Sequence, residues 1–165
     1  MTQTMRMARI EVAKQAMNFS AAHFTIFNET DRENLHGHNF QVSCVITAPL
    51  DPTGIIFDYS IIKKRIRQLC DELDEKTILP ENSPYLSVNV EGGYTVARFN
   101  DETMLFLPRD VLTLPVANTT VEEFSQYFLS RLVEDEGFVE RGIENMTVTV
   151  SSSPGQNGSA DWRVS

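Results

Sequence analysis

An α+β domain is the fold class this sequence predicts, and three observations predict it. Runs of β-branched and aromatic residues, such as the stretch 39–48 (NFQVSCVITA), read as strands. Two segments repeat apolar residues at intervals of three and four, each the buried stripe of a helix: Ile62, Ile66, Leu69 and Leu73, then Val121, Phe124, Phe128 and Leu132. The order of strands, helix, short strands, helix and strand suits an antiparallel sheet with two helices on one face.

Taken in order, the first strand is expected over residues 8–25, bent along its length, with a partner over 39–48 after the loop 27–35. Asp51-Pro52-Thr53-Gly54 is a turn by residue type. Asp58 or Ser60 can cap the first helix. Residues 82–84 break the chain before a hairpin of 88–90 and 94–99, joined by Glu91-Gly92-Gly93, and 103–107 reads as a further strand. The second helix starts at Thr119 or Thr120, because a Thr-x-x-Glu capping box is available in both registers, Thr119 with Glu122 and Thr120 with Glu123. A strand over 145–151 closes the chain.

At 165 residues, with 41% hydrophobic and 22% charged, the chain has the length and composition of one globular domain, and 1–165 is read as a single unit. A net charge of −9 argues against nucleic acid or an anionic membrane as partner. Cys44 and Cys70 lie among apolar residues and read as small buried hydrophobes rather than a disulfide. There is no signal peptide and no apolar run of membrane length, so the cytoplasm is the expected location.

The most informative residues are the histidines. His23, His36 and His38 are the whole complement, and all three belong to one pattern. In a strand, residues two apart project to the same side, so His36 and His38 form a ready pair. Three neutral imidazoles fill three corners around Zn²⁺ and leave the fourth for water or substrate, the arrangement of catalytic zinc. An H-x-H pair alternating along a polar surface strand is the alternative.

The flanks carry a resemblance. Phe19-Ser20-Ala21-Ala22-His23, followed by Leu35-His36-Gly37-His38-Asn39-Phe40, resembles the paired signature of the 6-pyruvoyltetrahydropterin and 6-carboxytetrahydropterin synthase family. The likeness continues through Ile56-Phe57-Asp58, Leu73-Asp74 and Asn118-Thr119-Thr120-Val121-Glu122, and spans roughly residues 10 to 162. The resemblance implies one zinc on the three histidines and the tunnelling fold, in which trimers close their sheets into a barrel and two trimers stack. It also implies sites between subunits and a small pterin-like substrate. Thr119 and Thr120 would then contact the heterocycle, although helix capping alone explains both.

The departures from that family are specific. The family's cysteine, four residues before the first His of H-G-H, is Arg32 here, and its Asp-His proton relay reads Asp74-Glu75. Where the family uses a Glu to hold the pterin edge, the best alignment puts Ser152, and a neutral hydroxyl cannot make a bidentate carboxylate contact. Glu33 lies three residues before His36, and Glu-x-x-His-Gly-His resembles a branch in which Glu replaces the Cys and dihydroneopterin triphosphate is cleaved to a 6-hydroxymethyl pterin. Glu33 would serve as general base if burial lifts its pKa toward neutrality. Within the charged run Glu29, Asp31, Arg32, Glu33 it could equally be a solvated loop acid.

Three function classes follow. The first is a zinc-dependent pterin enzyme, with Glu33, Asp74 or Glu75 moving protons. The second is a protein of the same fold that binds metal and a pterin- or purine-like ligand without turnover. The third is hydration chemistry of the carbonic anhydrase type, which also uses H-x-H plus one His, but there the third His follows the pair.

Overall fold

The computed structural model describes residues 4–135, 137 and 139–165. In chain order its elements are β1 (Met7–Val12), β2 (Asn18–His23), β3 (His36–Pro49), α1 (Ser60–Leu73), β4 (Lys76–Pro80) and β5 (Leu86–Glu91). They continue with β6 (Tyr94–Phe99), β7 (Glu102–Phe106), β8 (Val111–Leu114), α2 (Val121–Asp135), β9 (Asn145–Ser153) and β10 (Gln156–Arg163).

The long strand β3 is the spine. On one side it pairs antiparallel with β9. On the other it takes β1 along its C-terminal half, Val12 opposite Cys44, and β2 along its N-terminal half, with His23 opposite His36. The bent strand expected over 8–25 is therefore two strands on one partner, separated by a turn in which the Met17 amide donates to Lys14 O at 2.9 Å. The main sheet runs β10-β9-β3-β2-β4-β8, with β1 beside β3. Its joins from β2 to β4 and from β4 to β8 are parallel and the rest antiparallel. A separate three-stranded antiparallel sheet, β5-β6-β7, contains the expected hairpin. Gly92 and Gly93 make its turn at φ of 57° and 81°, values that disfavour side chains with a Cβ.

Both helices pack on the same face of the main sheet. Alternate residues of β3 (Phe40, Val42, Cys44, Ile46) point into one core with Phe19 of β2 and Met146, Val148 and Val150 of β9. The predicted stripes close over them: Ile62, Ile66, Leu69 and Leu73 of α1 and Phe124, Phe128 and Leu132 of α2 are all fully buried, and Val121 packs against the same cluster. Cys44 and Cys70 are free and buried, and burial pushes both thiols up to about 12. Neither can supply a thiolate at neutral pH. Among the described residues no helix is long and apolar enough to cross a membrane.

Candidate metal centre

The inward-facing stripe of the sheet changes chemistry at its end. On β3 the positions that face the core continue from Phe40 to His38 and His36, and on β2 from Phe19 and Ala21 to His23. Antiparallel register then brings the three rings together, with centroids 4.7 Å apart for His23 and His36, 4.8 Å for His36 and His38, and 5.3 Å for His23 and His38. Phe40 stands edge-on to His23 and His38 and forms an apolar floor.

Hydrogen bonding fixes which nitrogens are available. His23 Nδ1 lies 2.7 Å from Thr119 O and His36 Nδ1 lies 2.7 Å from Asn34 O. A carbonyl only accepts, so both Nδ1 atoms carry the proton and both Nε2 atoms keep a lone pair. Among the described residues, His23 Nε2 is buried with no hydrogen-bond partner. Burial, reinforced by His36 and His38 and only partly offset by the Thr119 bond, lowers the His23 pKa below its ordinary 6.5 and keeps the ring in the neutral, ligating form. One possible ligand atom from each histidine lies within 4.8 Å of the others. An orphaned imidazole nitrogen facing two others suits a zinc-like divalent ion, which small rotations of the half-exposed His36 and His38 would accommodate.

Glu33 stands beside the triad. Its amide donates to Thr25 O at 2.8 Å, and the Thr25 amide donates to its Oε1 at 2.9 Å. Its other oxygen lies 4.0 Å from His36 Nε2. Burial pulls its pKa upward, but the Thr25 bonds and the histidines outweigh it, so the pKa falls below its ordinary 4.5. The expected lift toward neutrality does not occur, because the side chain is too open for desolvation to win. Half-open as it is, Glu33 lines the triad's cleft.

The start of α2 forms the opposite wall. Thr119 is completely buried, and its hydroxyl donates to Phe24 O at 2.8 Å while its carbonyl orients His23. Its side chain thus has a structural post. Thr120 lines the cleft and also caps the helix, its hydroxyl accepting from the Glu123 amide at 3.2 Å. The Glu123 carboxylate accepts from the Ala117 amide, so the Thr120–Glu123 register is the one used, and Glu122 is left facing the cleft. The helix end comes close to the sheet at Gly158 of β10, where a Cβ would lie 2.7 Å from Val121 C and Glu122 N. Ser152, Phe27 and Gln156 complete a cleft of about 450 Å³, within the range of small-molecule sites. A place in the cleft was not expected of Glu122, Phe27 or Gln156 from the sequence. The signal for Glu122 was its surplus, since two capping glutamates were available for one helix start.

The other two expected acids lie elsewhere in the chain. Asp74 Oδ1 accepts from the Ser20 amide at 2.7 Å, and the Glu75 amide donates to Ser20 O at 2.7 Å, a reciprocal clasp between the end of α1 and β2. Glu75, at φ 59°, lines a second cleft of about 550 Å³ with Gly37, His38, Lys76, Thr77 and Asp110. His38 is the residue the two clefts share.

The chain is similar in sequence and fold to known proteins. A crystal structure of 6-pyruvoyl tetrahydropterin synthase from Plasmodium vivax superposes with a TM-score of 0.90 at 32% identity, covering 96% of this chain and 99% of that one. A variant of the same Plasmodium vivax enzyme, in which a glutamate described as a catalytic residue is replaced by alanine, matches with a TM-score of 0.90 at 31% identity, again over 96% of this chain and 99% of that one. A provisionally named 6-carboxy-5,6,7,8-tetrahydropterin synthase of Pyrococcus abyssi is 31% identical over 138 residues, 82% of this chain and 80% of the relative. Residues 11–161 match the family described as 6-pyruvoyl tetrahydropterin synthase, and the chain belongs to that family.

Proposed function

We propose that this protein is a zinc-dependent lyase that cleaves the side chain of dihydroneopterin triphosphate, or a close relative, with Glu33 as the base. The observation that carries this reading is the Glu33 carboxylate, held by the Thr25 amide 4.0 Å from His36 Nε2 within the triad's cleft. His23, His36 and His38 would hold the metal, which supplies Lewis acidity toward the hydroxyls of the substrate side chain. The catalytic glutamate of the Plasmodium vivax enzyme offers the parallel for a carboxylate in this role.

Glu33 takes the proton of the side chain's second hydroxyl, C1′–C2′ breaks, and C2′ leaves as an aldehyde bearing the triphosphate. The electron pair passes to C1′ and the ring, and protonation of C1′ gives the 6-hydroxymethyl product, so atoms and electrons balance. With its pKa below the ordinary 4.5, Glu33 is ionised at neutral pH but has only modest proton affinity for a general base. Glu122, facing the same cleft, is the acid available to meet a guanidine-like ring edge now that Ser152 stands at the anchoring position. Thr120 borders the ring's place. Neither buried cysteine can take part, which disfavours the thiol-dependent 6-pyruvoyl and 6-carboxy reactions.

The neutral Ser152 also favours a second reading, in which the cleft binds a pterin- or purine-like ligand without turning it over. The working form is inferred to be a cytoplasmic hexamer of two trimers. The open edges β8 and β10 are the surfaces through which sheets could join, and Asp74 or Glu75 would reach a neighbour's metal. Zinc-loaded protein incubated with dihydroneopterin triphosphate should release a 6-hydroxymethyl pterin. Glu33→Gln should cut that rate on the order of 10²-fold with metal retained. Equal activity of the variant would remove Glu33 from the mechanism, and no turnover by the wild type would favour the binding protein.

A further inference from the structure

Arg32 occupies the place of the family's thiol, and its side chain is only 15% exposed. A cation so enclosed needs partners on every side, and three parts of the molecule supply them. Its Nε and Nη2 donate to the two carboxylate oxygens of Glu102 at 3.2 and 3.1 Å. Its Nη1 donates to the carbonyl of Glu33 at 2.8 Å. Its guanidinium lies 4.9 Å from the ring centre of Phe24 and 5.8 Å from that of Phe99. Phe24 directly follows the metal-facing His23, whereas Phe99 ends β6 and Glu102 begins β7.

We propose that Arg32 is a positioning residue for Glu33, and that the small three-stranded sheet is the post to which it is bolted. The inference rests on the reading of Glu33 as base and adds the element that aims it. The sheet is seated firmly, because Phe24, Ile26, Leu79, Leu86, Ala97 and Phe99 form a second core beneath the loop. From that base the Arg32–Glu102 fork fixes the Glu33 carbonyl, and the paired bonds between Glu33 and Thr25 fix its amide and its carboxylate. Backbone is thus held on both sides of the Glu33 Cα. A solvated ion pair would do little, but a two-pronged arginine laid on aromatic rings sets both distance and angle. A lysine keeps the charge but not the fork.

The test uses the zinc-loaded full chain and the variants Arg32→Met, Arg32→Lys and Glu102→Gln. With dihydroneopterin triphosphate, Arg32→Met and Glu102→Gln should lower kcat by about 10- to 100-fold, as misplacement of a catalytic group does, with KM and zinc affinity nearly unchanged. Arg32→Lys should fall in between. In a Glu33→Gln background, Arg32→Met should cost nothing further, because the base it aims is already gone. A multiplied loss in the double variant, a parallel collapse of zinc affinity, or an unchanged kcat would each overturn the proposal. Should wild type turn over no dihydropterin, the assignment of Glu33 as base fails separately, and deuterium exchange decides the anchoring. Faster exchange confined to residues 25–33 in Arg32→Met supports it, and unchanged exchange overturns it.

Discussion

The triad and the Asp74–Glu75 pair meet at His38 yet are built in opposite ways. Around the triad one chain supplies three imidazoles, a carboxylate in reach and a second acid across the cleft. Around Asp74 the same chain spends its carboxylate on a backbone amide, and Glu75 opens onto a different cleft. The difference teaches that one chain gathers all three imidazoles by itself, whereas Glu75 lines a cleft that touches the triad only at His38.

The largest expected effect breaks the metal half. His36→Ala should lose zinc by more than the ~10- to 100-fold typical of an outer partner's loss, whereas Glu75→Gln should keep it. Metal content of the purified proteins checks both, and a metal-replete His36→Ala would end the three-histidine assignment.

Sharpening the comparison needs two copies. If Glu75 works on a neighbour's metal, Glu75→Gln and Glu33→Gln should each be impaired as pure proteins. Co-expressed, they should recover about a quarter of wild-type turnover, because random mixing restores that share of intersubunit sites. Activity no better than the sum of the parents would confine the site to one chain.

A smaller effect is expected at Asp74. Asp74→Asn keeps an acceptor oxygen for the Ser20 amide but loses its charge, and should cost about 0.5–1.5 kcal/mol of stability without changing metal content, as denaturant unfolding and metal analysis would reveal together.

The smallest effect is on pH. The metal-free protein holds His23 with a pKa lowered by burial, so the unfolded chain binds more protons once pH drops below the ordinary 6.5. The stability contributed by neutral His23 is therefore full above that value and declines as pH falls through the lowered pKa. His23→Gln should flatten this slope in thermal melts of metal-free protein between about pH 7 and 5.

What could be read from the sequence follows what each signal depends on. The helix stripes and the inward face of β3 were legible because periodicity reports burial against one large core. His23, His36 and His38 were legible because strand alternation fixes sides and the motif fixes spacing. Three strands were not. β4 and β8 are short strands of five and four residues whose parallel pairing is set by distant chain, and β10 (QNGSADWR) is polar, interrupted at its core-facing position by Gly158. That glycine answers to the end of α2 and not to local propensity. The roles of Thr119, Glu122 and Arg32 were hidden for a similar reason, since each depends on a partner far along the chain or on which of two capping registers wins.

The unpartnered nitrogen of His23 would tie occupancy of the proposed metal site to survival of the fold. A buried polar atom left without a partner costs roughly 1–3 kcal/mol, a sizeable share of the margin by which a domain stays folded. An ion bound at a hundred times its dissociation constant returns about 2.7 kcal/mol to the native state and none to the unfolded chain. If the triad holds a metal as proposed, the metal-free chain should open first on warming, and a chelator should lower the melting temperature.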